Sequence, residues 1–214
     1  GTDRTLSCTV GWGATYQEPG VSKLTSSENK LTVDLGAISS GGKEKLQDVE
    51  KIFSRMGPVF IVYNFIGARW TKLLINSAFS GISTVTGMTF GEVCDNKEAR
   101  RYAQRIIKEC IDVAKAKGIA LGAVQGKNIV SLFDYNGKIK RYISFCLLPF
   151  AMKNHRNIRA SMLRDLKDGR PCEIKAINGA VSREALSVGV LTPVCDKVVL
   201  IVQNYDNGVG KPSI

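Results

Sequence analysis

The first third of the chain consists of short apolar stretches of strand length that are separated by turn residues. Threonine and valine residues predict one strand over residues 4–11 and a second over residues 30–35. Between them, Glu18-Pro19-Gly20 indicates a turn. A helix is predicted over residues 43–56, and a third strand over residues 58–63. The pattern therefore predicts a small α/β region.

Beyond Gly67, apolar residues recur at the spacing of one helix after another. Helices are predicted over residues 68–85, from 95 to about 117, over 142–153, 161–168 and 171–188, and from 193 to about 207. The change near Gly67 divides the chain into the remnant of an α/β domain, residues 1–66, and a helical domain, residues 67–214. The predicted fold class is mainly α with a small α/β amino-terminal portion.

Particular residues predict where the helices begin and end. Asp95 and Glu98 have the spacing of a capping box. Ser161 can cap a short helix that Gly169 ends, and Thr192-Pro193 begins the last helix.

The first long helix carries a polar stripe among large apolar residues. At about 100° per residue, Lys72, Asn76 and Ser80 lie on one line along the helix, beside Ile75 and Phe79. The stripe is either the solvent face of an amphipathic helix or the wall of a polar cavity, and its shortage of charge favours the cavity. A lysine that loses water in such a cavity can pass a proton near neutral pH.

Glu173 is a second candidate for chemistry, in the first turn of its predicted helix. Its charge there would also stabilise the helix dipole, so capping explains the residue as well as function does.

Composition excludes several classes of function. Six scattered cysteines without CxxC spacing predict buried reduced thiols and a cytoplasmic protein, and a single histidine argues against a metal site or a catalytic triad. No apolar run is long enough to span a membrane. The net charge of +11 suits anions, but Arg101, Arg105 and Lys108 alternate with Glu109 and Asp112 as on a solvated helix face, so nucleic acid is not the predicted partner.

Several blocks of unusual composition follow one another along the chain: residues 72–76 (KLLIN), 161–165 (SMLRD), 169–174 (GRPCEI), 176–181 (AINGAV) and 192–194 (TPV). Together these blocks resemble the ketopantoate (2-dehydropantoate) reductase family. Residues 13–20 are similar to a strand and turn of that family, which extends the resemblance over nearly the whole chain.

The resemblance implies a Rossmann domain joined to a helical domain of the 6-phosphogluconate dehydrogenase carboxyl-terminal type, and reduction of a 2-oxo acid with NADPH as cofactor. It implies that Lys72 is the general acid and that Glu173 holds the nascent hydroxyl and lies near the cofactor. It implies that Asn76, Ser80 and Ser161 bind substrate and that Ala14 approaches the cofactor.

The sequence also departs from the family pattern. Well-known members often carry Asn where this chain has Ser80 and Phe90, which leaves the substrate open. No GxGxxG motif follows a strand, and the chain starts at Gly1 without Met, so we expect a piece of a longer protein that is inactive alone. The alternatives are a reductase of another 2-oxo acid, or a non-catalytic binding or oligomerisation module. Pairing into a homodimer through apolar helix faces is left open.

Overall fold

The computed structural model describes residues 1–24, 31–122 and 130–210. The chain forms two compact units, Gly1–Arg69 and Trp70–Ile214. The division falls within the first turns of helix α3, Phe65–Thr86.

The amino-terminal unit is built on a three-stranded sheet in the order β1-β4-β5, with a separate hairpin formed by β2 and β3. Strands β1 and β4 are antiparallel, and β4 and β5 are parallel. Its elements are β1 Leu6–Val10, β2 Ala14–Glu18, β3 Val21–Leu24, β4 Val33–Ala37, α1 Ser40–Lys43, α2 Leu46–Phe53 and β5 Val59–Ile61, after a 3₁₀ turn at Thr2–Arg4.

The small core of this unit lies on β4, which is buried along most of its length because apolar side chains cover both of its faces. Leu35 and Ala37 pack with Leu46 of α2. Between them, Gly36 has no side chain because the ring of Phe65 fills the space: a Cβ there would lie 2.2 Å from the ring.

The second unit is helical in all of its described regular structure apart from connecting turns. After α3 its elements are α4 Phe90–Asp95, α5 Lys97–Ala116, α6 Val130–Phe133, α7 Lys138–Ala151, α8 Ser161–Lys167, α9 Asn178–Ser187 and α10 Pro193–Asp206, with 3₁₀ turns at Lys153–His155 and Glu173–Lys175. The predicted fold class is confirmed.

Helix α5 forms the centre of the helical core. Its predicted apolar stripe is buried, and it packs with apolar side chains of α3, α9 and α10. The stripe consists of Ile106, Ile107, Cys110, Val113 and Ala114. In the described part of the chain, no helix combines the length and apolarity that a membrane span needs.

The predicted helix ends are correct in some places and wrong in others. Gly169 and Gly189 follow α8 and α9 with φ of 67° each, and Thr192 precedes Pro193 at the start of α10. Ser161 makes no side-chain cap, and it is the first residue of α8.

The capping box predicted at Asp95 and Glu98 is wrong. The side chain of Asn96 instead accepts the backbone N–H groups of Glu98 and Ala99, both at 3.0 Å. The reciprocal box lies one helix earlier, where Thr89 Oγ1 accepts the N–H of Glu92 and the Glu92 carboxylate accepts the N–H of Thr89. The short helix α4 was not predicted.

The predicted state of the cysteines is partly wrong. None of the six forms a disulfide in the described part of the chain, and Cys94, Cys110 and Cys195 are buried. Cys8 and Cys146 are exposed, however, so burial does not hold for all of them.

Candidate functional site

The polar stripe on α3 runs from solvent into the core of the helical unit. Lys72 is exposed, Asn76 and Ser80 are half-buried, and Ser83, which lies one turn further along the same face, is completely buried. Lys72 is therefore not enclosed in a cavity, which corrects the expectation of a desolvated lysine. The stripe is neither a uniform solvent face nor a closed wall, because its exposure falls steadily along the helix.

Ser83 fixes the start of α8 to this face of α3. Its hydroxyl accepts the backbone N–H of Ala160 at 3.1 Å and donates to the carbonyl oxygen of Met88 at 2.6 Å. Ala160 directly precedes Ser161, the predicted substrate-binding residue, which is exposed at the first position of α8. One buried hydroxyl thus holds Ser161 next to the helix that carries Lys72.

Asn178 fixes the start of α9 to α3 at Ser77 and Gly81, which lie about 140° and 180° around the helix from Lys72. Its side-chain amide donates to the carbonyl oxygen of Ser77 at 3.0 Å, and the residue is completely buried. Gly81, one turn after Ser77, provides the necessary room: a Cβ there would lie 2.8 Å from Oδ1 of Asn178. The contact places the amino-terminal end of α9 against the middle of α3.

Glu173 lies five residues before Asn178, at the start of the 3₁₀ turn Glu173–Lys175. Its carboxylate side chain is exposed, whereas the adjacent Ile174 is completely buried in the helical core and anchors the turn. Both segments predicted to carry site residues are therefore tied to α3, one through Ser83 and the other through Asn178. Ala14 lies on β2 in the other compact unit, and its role stays a prediction.

The sequence prediction missed Ser83, Gly81 and Asn178. Ser83 continues the stripe of Lys72, Asn76 and Ser80 at the next helical position, so periodicity alone could have found it. Asn178 stands in the AINGAV block, but its partner is 101 residues away and no local pattern identifies it.

Glu109 contradicts the prediction that the charged residues of α5 are solvated. Its carboxylate oxygens accept the backbone N–H groups of Val194 and Cys195, each at 2.9 Å, at the first turn of α10. Burial raises the pKa of Glu109 above its ordinary value, against the lowering effect of these two hydrogen bonds. Glu109 therefore caps the start of α10 from a neighbouring helix. Lys108 beside it forms an ion pair with Asp112.

Two buried thiols of the helical unit, Cys94 and Cys195, have raised pKa values. Burial raises the pKa of Cys94 to about 11, and a hydrogen bond with the thiol of Cys110 together with burial raises the pKa of Cys195 as well. Neither thiol is prepared to act as a thiolate nucleophile at neutral pH. No cluster of His, Cys, Asp and Glu side chains in the described ranges could hold a metal ion.

The residues present also do not fit the pyrophosphate of a dinucleotide cofactor. Such a site needs a strand, a glycine-rich turn and a helix whose amino terminus faces the phosphates. The 214-residue sequence has no GxGxxG motif, and Gly208-Val209-Gly210 follows helix α10 instead of a strand. The described residues would therefore not hold the pyrophosphate by themselves.

Comparison with known proteins shows the family of the chain. The family model described as "Ketopantoate reductase PanE/ApbA C terminal" matches residues 64–206, which include α3 and every later helix. The chain belongs to this family. The match contains Lys72, Asn76, Ser80, Ser161 and Glu173.

Two curated relatives of the chain are 2-dehydropantoate 2-reductases. The protein of Pyrococcus horikoshii is 28% identical over 182 residues, which cover 85% of this chain and 53% of the relative. The protein of Lactococcus lactis is 27% identical over 197 residues, which cover 91% of this chain and 57% of the relative. The chain thus spans about half the length of these relatives.

Solved structures share the fold of the family member. A PanE/ApbA family ketopantoate reductase from Ralstonia eutropha superimposes with a TM-score of 0.75 at 20% identity, over 95% of this chain and 60% of that one. D-mandelate dehydrogenase in complex with NADH superimposes with a TM-score of 0.78 at 21% identity, over 98% of this chain and 64% of that one.

Proposed function

We propose that this chain supplies the substrate side of a nicotinamide-dependent 2-oxo acid reductase, with 2-dehydropantoate as the substrate. The observation that carries the proposal is that both segments are fixed to one helix: Ser83 ties Ala160–Ser161, and Asn178 ties the Glu173 segment, to α3, which also carries Lys72 and Asn76. These are the residues to which the family resemblance assigns the chemistry.

The proposed roles follow from the charge that develops on the substrate. Reduction of a ketone builds negative charge on its oxygen, and the cofactor supplies the hydride when it is bound. The Lys72 ammonium stabilises that oxygen and donates the proton from Nζ. The carboxylate of Glu173 accepts a hydrogen bond from the new hydroxyl, and Asn76, Ser80 and Ser161 orient the substrate carboxylate and hydroxyl.

A substitution at Lys72 tests the general acid in the full-length protein. We expect Lys72→Ala to lower kcat for 2-dehydropantoate by about 10²–10⁴-fold, the usual contribution of a positioned proton donor. Lys197→Ala, at an exposed lysine of α10, is the matched control and should retain full activity. Turnover of Lys72→Ala equal to that of the control would refute the assignment.

A different 2-oxo acid is the second candidate, and the position of Phe90 favours it. Phe90 is buried, and its ring centroid lies 5.5 Å from that of Phe79 on α3. It therefore places an apolar side chain in the core beside α3, where well-known members of the family often carry Asn. A panel that compares 2-dehydropantoate with branched aliphatic and aromatic 2-oxo acids, by kcat/KM, separates the two candidates.

We further propose NADPH as the reductant and the cytoplasm as the compartment. The proposal of the cytoplasm rests on the six cysteines, none of which forms a disulfide in the described part of the chain. The reductant is tested by comparing the reduction rates of the full-length protein with NADPH and with NADH. A preference for NADH would contradict the proposal. The Ala14 assignment is tested in the same assay, where Ala14→Val should raise KM for the cofactor and leave KM for the 2-oxo acid unchanged.

A further inference from the structure

The five residues before α8, residues 156–160, are fixed by their backbone to the start of α4. The N–H groups of Phe90 and Gly91, the first two residues of α4, donate to the carbonyl oxygens of Ile158 and Arg156, both at 2.8 Å. The first N–H groups of a helix have no acceptor within that helix, so carbonyl groups from elsewhere in the chain satisfy them here. We call residues 156–160 the pre-α8 segment.

The end of the pre-α8 segment is fixed to α3. The N–H of Ala160 donates to Ser83 Oγ at 3.1 Å, and the same hydroxyl donates to the carbonyl oxygen of Met88 in the turn between α3 and α4. Hydrogen bonds to α3 and α4 therefore hold a segment that has no helix or strand of its own. Because Ser161 follows directly, the position of the pre-α8 segment sets the position of Ser161.

Gly91 allows α4 and the pre-α8 segment to approach this closely. Its φ is not in the left-handed region, so no turn requires a glycine there. A Cβ at this buried position would lie 3.0 Å from both the Cβ and the carbonyl oxygen of Arg156, whereas carbon atoms pack at about 3.5–4.0 Å. Arg156 is held on its other side by its ion pair with Asp95, the last residue of α4. A side chain at position 91 would therefore push the pre-α8 segment away from α4.

We propose that Gly91 is a positioning residue for the substrate, because the room that it leaves for the pre-α8 segment sets how Ser161 stands beside α3. The inference rests on the proposed function, in which Ser161 binds the 2-oxo acid. Gly91 acts through the backbone of the pre-α8 segment, since the three atoms nearest to its missing Cβ all belong to Arg156. Displacement of the segment should weaken substrate binding.

The effect should fall on KM for the 2-oxo acid and not on kcat. Lys72, the proposed proton donor, lies eleven residues before Ser83 on α3, which is about 16 Å along the helix. A shift of the pre-α8 segment therefore leaves the proton donor in place. An interaction that is lost equally from the bound substrate and the transition state raises KM at constant kcat. One hydrogen bond contributes up to roughly tenfold in affinity.

The test is steady-state kinetics of the full-length protein with 2-dehydropantoate. We expect Gly91→Val to raise KM for 2-dehydropantoate roughly tenfold and to retain kcat and KM for the cofactor. Gly91→Ala should raise KM less, and it keeps the test decisive if the valine variant does not fold. Thr89→Ala is the matched control: it removes the hydroxyl that accepts the N–H of Glu92 at 3.2 Å, which weakens the same helix start, but it adds no atom beside Arg156. Its KM should equal that of the unsubstituted protein.

A Ser161→Ala background separates this inference from the proposed function. Ser161→Ala alone should raise KM, and the addition of Gly91→Val should raise it no further, because the side chain through which Gly91 acts is gone. If Ser161→Ala raises KM and neither Gly91 variant does, the positioning role is wrong and the substrate role of Ser161 stands. If Ser161→Ala leaves KM unchanged, the proposed role of Ser161 is wrong and the positioning role is wrong with it. Effects of Gly91→Val that are equal in both backgrounds, or a matching rise in Thr89→Ala, also overturn the inference.

Discussion

Gly81→Ala tests the contact by which α9 is held to α3. In an exposed helix this change would stabilise the protein by about 1 kcal/mol, because alanine loses less backbone entropy than glycine. Here the new Cβ would lie 2.8 Å from Oδ1 and 3.0 Å from Nδ2 of Asn178, and 3.1 Å from Cγ1 of Val198. Two opposing effects therefore act at one position.

The steric effect should win, because neither neighbour can easily move. Asn178 is completely buried and is held by its hydrogen bond to Ser77, and Val198 is also buried. Overpacking of such a site costs about 1–3 kcal/mol. We expect a net loss of up to about 2 kcal/mol in the free energy of unfolding, which lowers the melting temperature of a chain of this size by up to roughly 8 °C.

The assay is thermal unfolding followed by the helical far-ultraviolet circular dichroism. Gly179→Ala is the matched control, because Gly179 is also a buried helical glycine but its nearest neighbouring atoms would lie 3.4 Å from the new Cβ. It should be neutral or slightly stabilising. In an Asn178→Ala background the cost of Gly81→Ala should largely disappear, since two of the three close atoms are gone.

A Gly81→Ala variant that melts at or above the temperature of the unsubstituted chain would refute the reasoning. It would mean that helix propensity outweighs the contact and that Asn178 can move away from α3. A cost that is unchanged in the Asn178→Ala background would also contradict it, because the strain would then come from Val198 alone.

Two further predictions concern the buried polar contacts. Ser83→Ala should destabilise the chain by about 1–3 kcal/mol, because it leaves the buried N–H of Ala160 without an acceptor. Urea unfolding checks this prediction, with Ser187→Ala at an exposed serine as the control. Equal urea midpoints for the two variants would contradict it. Burial raises the pKa of Glu109 above 4.5, so folding favours the protonated form of this carboxyl group. The stability that this protonation adds is complete below the unfolded pKa and is lost as pH rises through the folded pKa. The free energy of unfolding of the unsubstituted chain relative to Glu109→Gln should therefore increase as pH falls from neutral towards 4.5, and a constant difference across this range would show that the raised pKa is wrong.

Helices with a strong one-sided pattern were predicted well from the sequence. Helix α5 has a continuous apolar stripe, and α10 has Pro193 at its start, so local chemistry determines both elements. Helix α7 begins four residues before the predicted start at residue 142, at Lys138. Most of its apolar residues lie on its exposed side instead of its buried side. The sequence pattern therefore predicted a helix but did not show which face of the helix is buried.

The small elements were predicted less completely. Strand β3 was missed because its residues Val21, Ser22 and Lys23 are all exposed, so it has no buried face and no alternation. The capping box was assigned one helix too late because Asp95 and Glu98 have the same spacing as Thr89 and Glu92. Only the folded backbone shows which of the two pairs stands at a helix start.

The candidate site residues could be proposed from the sequence, but their relative placement could not. The family resemblance selected Lys72, Asn76, Ser161 and Glu173. The contacts that bring their segments together depend on Ser83 and Asn178, whose partners are far away in the chain. Tertiary contacts of this kind leave no periodic signal.

The two hydrogen bonds that assemble the candidate site also imply an order of folding. They join residues separated by 77 and 101 positions, whereas each helix closes over only a few residues. Such distant pairs close long loops, so we expect them to form after the local helices. An incompletely folded chain can therefore show most of its helical signal and still lack the site, so a catalytic or binding readout reports native structure that circular dichroism does not.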